Sequence, residues 1–239
     1  MAVSQLTKIY REFIALRGVS FSVPRGQVFG LLGNNGAGKT TTLRLLSTLL
    51  KPSSGQIQIA GIDALAQPNE VRRKIGIVSG GMSLEGRLSG YEILRFFSRL
   101  YGQSPHEFEN QLEQISRELE LEVVLKKPVI AMSSGMRQKL VIARALIGNP
   151  DLLLLDEATR GLDVFARRGL LEFVLKFREA GGSAVYSTHV MSEAEEICDQ
   201  VGFLHNGELI YIGSIGEAKD RFEAKNLESA FVAAVRSQQ

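Results

Sequence analysis

The sequence predicts an α/β fold with a mostly parallel sheet, an antiparallel β portion and an inserted helical subdomain, and three observations carry that expectation. Short apolar runs rich in β-formers alternate with longer helical patterns, which argues for a parallel sheet with helices on its faces. Between about residue 83 and residue 149 the strands stop and helical patterns take over. No Ser/Pro-rich linker, internal repeat or low-complexity segment divides the 239 residues, and 44% apolar content is ample for a packed core.

Taken in order, GVSFSV (18–23), QVFGLL (27–32), QIQIA (56–60) and KIGIVS (74–79) read as strands ahead of the helical stretch. DLLLLD (151–156), SAVYST (183–188) and VGFLH (201–205) read as strands after it. Asn206-Gly207 marks a two-residue hairpin turn, so GELIYIG returns antiparallel. The helical patterns are YEILRFFSRLYG (91–102), PHEFENQLEQISRELEL (105–121) and GMRQKLVIARALIG (135–148). The whole chain, 1–239, is expected to form a single domain. Residues 1–82 and 150–220 make its α/β core, 83–149 the helical subdomain, and 221–239 a C-terminal helical tail.

Bulk composition excludes several classes. One cysteine, Cys198, leaves no disulfide framework and no cysteine-rich metal site, so a reducing cytoplasm is the natural compartment and the thiol reads as a small buried hydrophobe. A formal charge of +2 with interspersed signs offers no footprint for a nucleic acid partner. The N-terminus, MAVSQLTKIYREF, carries charges where a signal peptide needs an apolar core. No run approaches the roughly 18 apolar residues of a membrane span. The chain is expected to be soluble, or held at a membrane by something else.

QVFGLLGNNGAGKTTTLRLL carries Gly33, Gly38, Lys39 and Thr40 in the G-x-x-x-x-G-K-[ST] pattern, directly after a strand and opening a helix. Gly33, Gly36 and Gly38 let backbone N–H groups wrap phosphate oxygens without a Cβ in the way. Lys39 then supplies a cation to the terminal phosphates, and Thr40 a hydroxyl to Mg²⁺.

DLLLLDEAT places two carboxylates at the carboxyl end of an apolar strand, the edge where α/β folds bind ligands. Packing explains that poorly, because a buried strand has no use for charge. Asp156 is expected to hold Mg²⁺ and Glu157 to face the attacking water as general base. Ser187-Thr188-His189 ends the next strand at the same expected edge, which makes His189 a functional candidate. His106 and His205 have no such context and are expected to be solvated.

The turn in AMSSGMRQKL (131–140) precedes a helix and admits two readings, a cap and an anion site, because exposed N–H groups and the helix dipole both point at whatever lies in front.

The order and spacing of Gly33-Asn34-Asn35-Gly36-Ala37-Gly38-Lys39-Thr40, Ser133-Ser134-Gly135, Asp156-Glu157, Gly161-Leu162-Asp163 and His189 resemble ABC transporter ATP-binding subunits over nearly the whole chain. The resemblance implies a phosphate-loop ATPase core, with Gly33, Asn34, Asn35, Gly36, Ala37, Gly38, Lys39, Thr40 and Thr41 binding ATP, and Thr40 and Asp156 binding Mg²⁺. Glu157 and His189 would be the catalytic base and the switch histidine. The family pairs two copies head to tail, so Ser133 and Gly135 of the signature turn would seal the other copy's nucleotide, with Asp163 at the seam. Tyr10, 23 residues before Gly33, matches the family's adenine-stacking aromatic; a core strand aromatic is the alternative.

There are departures. Where the family usually keeps a glutamine after the strand, this chain has Gly80 or Gly81. In the signature, Met132, Ser134 and Met136 replace a leucine, a glycine and a glutamine, and Ala158 and Arg160 replace a common proline and a small polar residue. Leu88-Ser89-Gly90 is a decoy signature, too far upstream. Leu88 and Tyr91, near the junction with the helical subdomain, are the candidates for contact with a transmembrane permease. The signature, Gly81 and the STHVM string look like export-type subunits, including those for sodium extrusion, working peripherally at the cytoplasmic face of the cell membrane. Drug, lipid-linked glycan or peptide export are the other substrates of that branch, and a soluble ABC ATPase driving assembly, such as of iron–sulfur clusters, is the competing class. A GTPase is disfavoured by the lack of an Asn-Lys-x-Asp motif.

Overall fold

The computed structural model describes residues 1–80 and 84–238. Strands β1 (Ala2–Tyr10), β2 (Phe13–Ser22) and β3 (Val28–Leu32) lead into α1 (Lys39–Leu46). Next come β4 (Ser54–Ile59), β5 (Ile62–Asp63), α2 (Pro68–Lys74) and β6 (Ile75–Ser79). Helices α3 (Gly90–Leu100), α4 (Pro105–Leu119), α5 (Glu122–Lys126) and α6 (Ser134–Leu146) follow without an intervening strand. The chain returns through β7 (Leu152–Asp156), α7 (Val164–Glu179), β8 (Ser183–Thr188), α8 (Met191–Ile197), β9 (Gln200–His205) and β10 (Glu208–Gly213), and ends in α9 (Ile215–Arg221) and α10 (Leu227–Arg236).

Two sheets organise these elements. Six strands in the order β10-β9-β3-β8-β7-β6 are parallel except for the β9–β10 hairpin, and four antiparallel strands stand in the order β2-β1-β4-β5. The hairpin turns at Asn206 and Gly207, both at positive φ, 48° and 82°, as a two-residue turn matched to strand twist requires. One hydrophobic cluster fills the space between the sheets, with Phe21 stacked on Phe29 at 4.7 Å. A second joins the other face of the parallel sheet to the helices, and α10 seals it with Leu227, Ala230, Phe231 and Ala234.

Several expectations change in extent. The strand at 18–23 begins at Phe13, and β1 and α7 are elements that the pattern reading did not place. The tail's helical part starts at Ile215 rather than at residue 221. The boundary drawn at 82 and 83 lies outside the described residues. The decoy Leu88-Ser89-Gly90 is a helix start: Ser89 caps α3 in a reciprocal box with Glu92. Cys198 is buried, which pushes its thiol up and leaves it inert. Among the described residues no helix is long and apolar enough to cross a membrane.

Candidate functional site

The parallel register decides which loops meet. Ser79 stands opposite Asp156, Asp156 opposite Ser187, and Leu32 opposite Thr188, so the phosphate loop, the acidic pair and the Ser187-Thr188-His189 turn leave the sheet at one edge. That edge is the carboxyl end of the strands, where helix N-termini and irregular backbone leave room for a ligand.

The loop from Gly33 to Gly38 wraps back onto itself through Ala37 N–H donating to the Asn34 carbonyl at 3.2 Å. Gly38, the N-cap of α1, sits at φ 111°, and a Cβ there would lie 2.8 Å from the Ala15 carbonyl oxygen. Only glycine fits such a cradle. Gly207 N–H donates to the Ala37 carbonyl at 3.0 Å, so the hairpin turn backs the loop. Asn34, Asn35, Gly36 and Thr40 are exposed, Thr41 is half-buried, and Gly33 and Ala37 are buried.

Lys39 is 5% exposed and folds back under the loop, its Nζ donating to the Gly33 carbonyl at 2.7 Å and the Asn34 carbonyl at 3.1 Å. Burial pulls its pKa below the ordinary lysine value, against the pull of Glu157 and Asp156, which favour the charge. A lysine held by carbonyls at the mouth of a nest is a cation with somewhere better to go, and phosphate oxygens are the chemistry that would draw it.

Asp156 Oδ1 accepts from Thr40 Oγ1 at 3.3 Å and from Ser187 Oγ at 3.2 Å. A carboxylate with two hydroxyls is a hard oxygen set that fits Mg²⁺. Among the described residues no group of three or more His, Cys, Asp or Glu is placed so as to hold a metal ion by itself, so such an ion would complete its shell with phosphate oxygens and water. Ser187 was not among the residues singled out from sequence, although its place beside His189 at a strand end was the available signal.

Glu157 lies one step beyond the strand at φ 45°, a conformation that costs a non-glycine residue on the order of 1 kcal/mol. Its N–H donates to the Ser187 carbonyl at 3.0 Å, which holds it there. Its Oε1 is 3.3 Å from His189 Nδ1 and 3.9 Å from Lys39 Nζ, and its Oε2 is 3.7 Å from an Arg160 nitrogen. Lys39, Asp156, Glu157 and His189 are thus one cluster, as the sequence motifs imply.

The signature turn meets Asp163 in a second cluster, through Ser134. Ser133 Oγ accepts from Met136 N–H at 3.2 Å and caps α6, so the cap reading of that turn holds. Gly135 lies in the first turn of α6 with open space above it. Asp163 caps α7 by accepting from Ala166 N–H at 2.9 Å, and it also accepts from Ser134 Oγ at 3.2 Å. The bond from Ala166 in particular holds its carboxyl below the usual carboxylate range. Among the described residues, no hydrogen bond or ion pair links Ser133 or Gly135 to the phosphate loop of the same chain.

Tyr10 ends β1, is 40% exposed and has Lys8 Nζ 5.1 Å from its ring centroid, so it is no core aromatic. Tyr91 donates to Glu109 at 2.7 Å and packs edge-on to Phe108, and Leu88 is half-buried, so both are engaged within the helical subdomain. His106 is exposed, and His205, at the end of β9, is half-buried.

Gly80 explains one departure. A Cβ there would run into the backbone oxygen of Glu157, and Gly80 N–H donates to the Asp156 carbonyl at 3.0 Å. The alternative position, Gly81, lies outside the described residues. Gly80→Ala is expected to destabilise the fold by roughly 1–3 kcal/mol, read from the chemical denaturation midpoint, because the obstacle is backbone. An unchanged midpoint would contradict this packing.

A family model described as ABC transporter matches residues 16–160. The chain is 39% identical over 219 residues to the ABC transporter ATP-binding protein NatA of Bacillus subtilis, an alignment covering 91% of this chain and 89% of that one. A solved ATP-binding subunit of an ABC transporter has a TM-score of 0.88 and 33% identity, covering 98% of both chains. A dimeric ATP-binding cassette in a post-hydrolysis state, bound to ADP and Pi, has a TM-score of 0.77 and 25% identity, covering 89% of this chain and 97% of that one.

Proposed function

The chain belongs to the ABC transporter family of ATP-binding proteins, and from that premise we propose that it is the ATP-hydrolysing subunit of an exporter, driving a separate membrane permease. The observation that carries the reading is the convergence of Lys39, Asp156, Glu157 and His189 at one sheet edge beside a glycine cradle. Those are the groups that phosphoryl transfer to water requires: a cation for the terminal phosphate, a metal ligand, a base, and a partner for the base.

In this reading Lys39 leaves the Gly33 and Asn34 carbonyls for the terminal phosphates, and loop N–H groups hold the rest of the chain of phosphates. Thr40 and Asp156 would hold Mg²⁺, which when bound neutralises charge on the phosphates. Glu157, already 3.3 Å from His189, accepts a proton from the attacking water while His189 contacts the terminal phosphate. Tyr10 stacks on adenine.

The site is completed by a second copy. Among the described residues no hydrogen bond or ion pair joins Ser133, Gly135 or Asp163 to the phosphate loop of their own chain, and Ser133 N-caps a 13-residue helix, α6, whose N-terminus is suited to an anion. Two copies placed head to tail bring each signature turn onto the other's nucleotide, so hydrolysis depends on dimerisation. That a related ATP-binding cassette bound to ADP and Pi is dimeric supports the pairing of two copies.

The chain works at the cytoplasmic face of the cell membrane, held there by the permease. Sodium extrusion is the narrower reading, resting on the likeness of the STHVM string. Mass spectrometry of the tagged chain drawn from native membranes in mild detergent tests the exporter assignment. A stoichiometric partner with about six apolar spans of roughly 20 residues is expected. Soluble partners alone would overturn it in favour of an assembly ATPase.

A further inference from the structure

Glu193 is a carboxylate with 3% exposure, four residues beyond His189 on the inward face of α8. Nothing in the reaction above uses it. A charge so buried persists only where donors compensate it, and here three hydroxyls converge on one oxygen. Tyr186 Oη donates to its Oε2 at 2.7 Å, Thr159 Oγ1 at 3.1 Å and Thr188 Oγ1 at 3.3 Å. Its Oε1 faces an Arg167 nitrogen at 4.0 Å. Burial, followed by the Glu193 charge, pushes the Tyr186 phenol up, so that hydroxyl remains a donor.

The positions of those donors give the arrangement its meaning. Thr159 lies two residues after Glu157, on the turn that closes with Arg160 N–H donating to the Glu157 carbonyl at 3.0 Å. Thr188 lies one residue before His189, and its Oγ1 also accepts from Val190 N–H at 3.0 Å, so the backbone on both sides of His189 is tied to the same carboxylate. Glu157 Oε1 and His189 Nδ1 are themselves only 3.3 Å apart.

We propose that Glu193 is a positioning residue that clamps the turn bearing Glu157 and the turn bearing His189 to one buried oxygen, setting the geometry in which base and histidine meet. The proposal rests on the ATPase reading. Displacement of a reacting group by about 1 Å costs on the order of 10²-fold in rate, so loss of one tether is a kinetic effect more than a binding one.

The test uses the full chain with MgATP. Thr159→Val removes the hydroxyl and keeps the shape; kcat is expected to fall about 10-fold with KM for ATP within about two-fold, and Thr159→Ser to restore kcat to within about two-fold. Glu193→Ala, which leaves the three hydroxyls without their shared acceptor, is expected to lose about 30-fold or more in kcat. If that variant fails to fold, the threonine pair decides the matter, since Thr159 is only half-buried. Wild-type kcat in Thr159→Val, or Thr159→Ser as slow as Thr159→Val, would overturn the clamp. A wild-type rate that Lys39→Ala leaves unchanged would sink the ATPase reading itself, which is a separate failure.

Discussion

Lys39→Ala is expected to lower ATP turnover by about 10³-fold or more, and to weaken nucleotide binding, while the chain still folds. Removing a single preorganised donor from a developing oxyanion costs about 10²–10³-fold, and here the donor is a full charge. The starting point favours a large effect. The ammonium lies 5% exposed beneath the loop, bonded to two carbonyls and 3.9 Å from Glu157. Burial has already weakened its hold on the proton, so little water needs to be stripped from it when it reaches the phosphates. The fold should survive because the change deletes a buried cation together with its desolvation cost, and Glu157 keeps Arg160 and His189 as neighbours. Steady-state hydrolysis with a circular dichroism control checks this. Unchanged hydrolysis would remove the phosphate-loop assignment.

How much of this was legible in the sequence follows from how local each feature is. The phosphate loop is one strand, one turn and one helix in a row, so its identity and geometry sit in eight consecutive residues. Asp156, Glu157 and His189 were legible at one remove, because strand ends of a parallel sheet share an edge whatever their order. β1 was hidden by its irregularities: Gln5 at φ 48° and register shifts after Val3 and Leu6 leave only those two residues buried, three apart, so no alternation reaches the sequence. α7 was hidden by exposed Val164 and Phe165 in its first turn and by Gly169 in its middle, which dilute a buried stripe of Leu170, Leu171, Phe173 and Val174. The pairings that finish the site were out of reach for another reason. Ser187 with Asp156, Ser134 with Asp163 and Thr159 with Glu193 join residues 31, 29 and 34 positions apart, and no periodicity encodes a hydroxyl meeting a carboxylate across two loops.

Glu157→Gln is expected to reduce turnover by about 10²–10³-fold and, with saturating MgATP, to convert the chain into a stable nucleotide-bound dimer. The two effects have one cause. The amide keeps the size and the left-handed backbone of Glu157, so the tether from its N–H to Ser187 remains, but it cannot take a proton from water. It also deletes a negative charge 3.9 Å from Lys39, where the terminal phosphate brings its own negative charge, so repulsion against bound ATP falls. Chemistry stops while binding improves. If the signature turn of Ser133 and Gly135 seals the other copy's nucleotide, a nucleotide that cannot be cleaved holds both copies together. Sedimentation velocity separates the outcomes. A variant that binds ATP tightly and stays monomeric would leave the phosphate loop intact and overturn the head-to-tail dimer. A variant that hydrolyses at the wild-type rate would instead take the base role away from Glu157, leaving the Lys39 result to stand by itself.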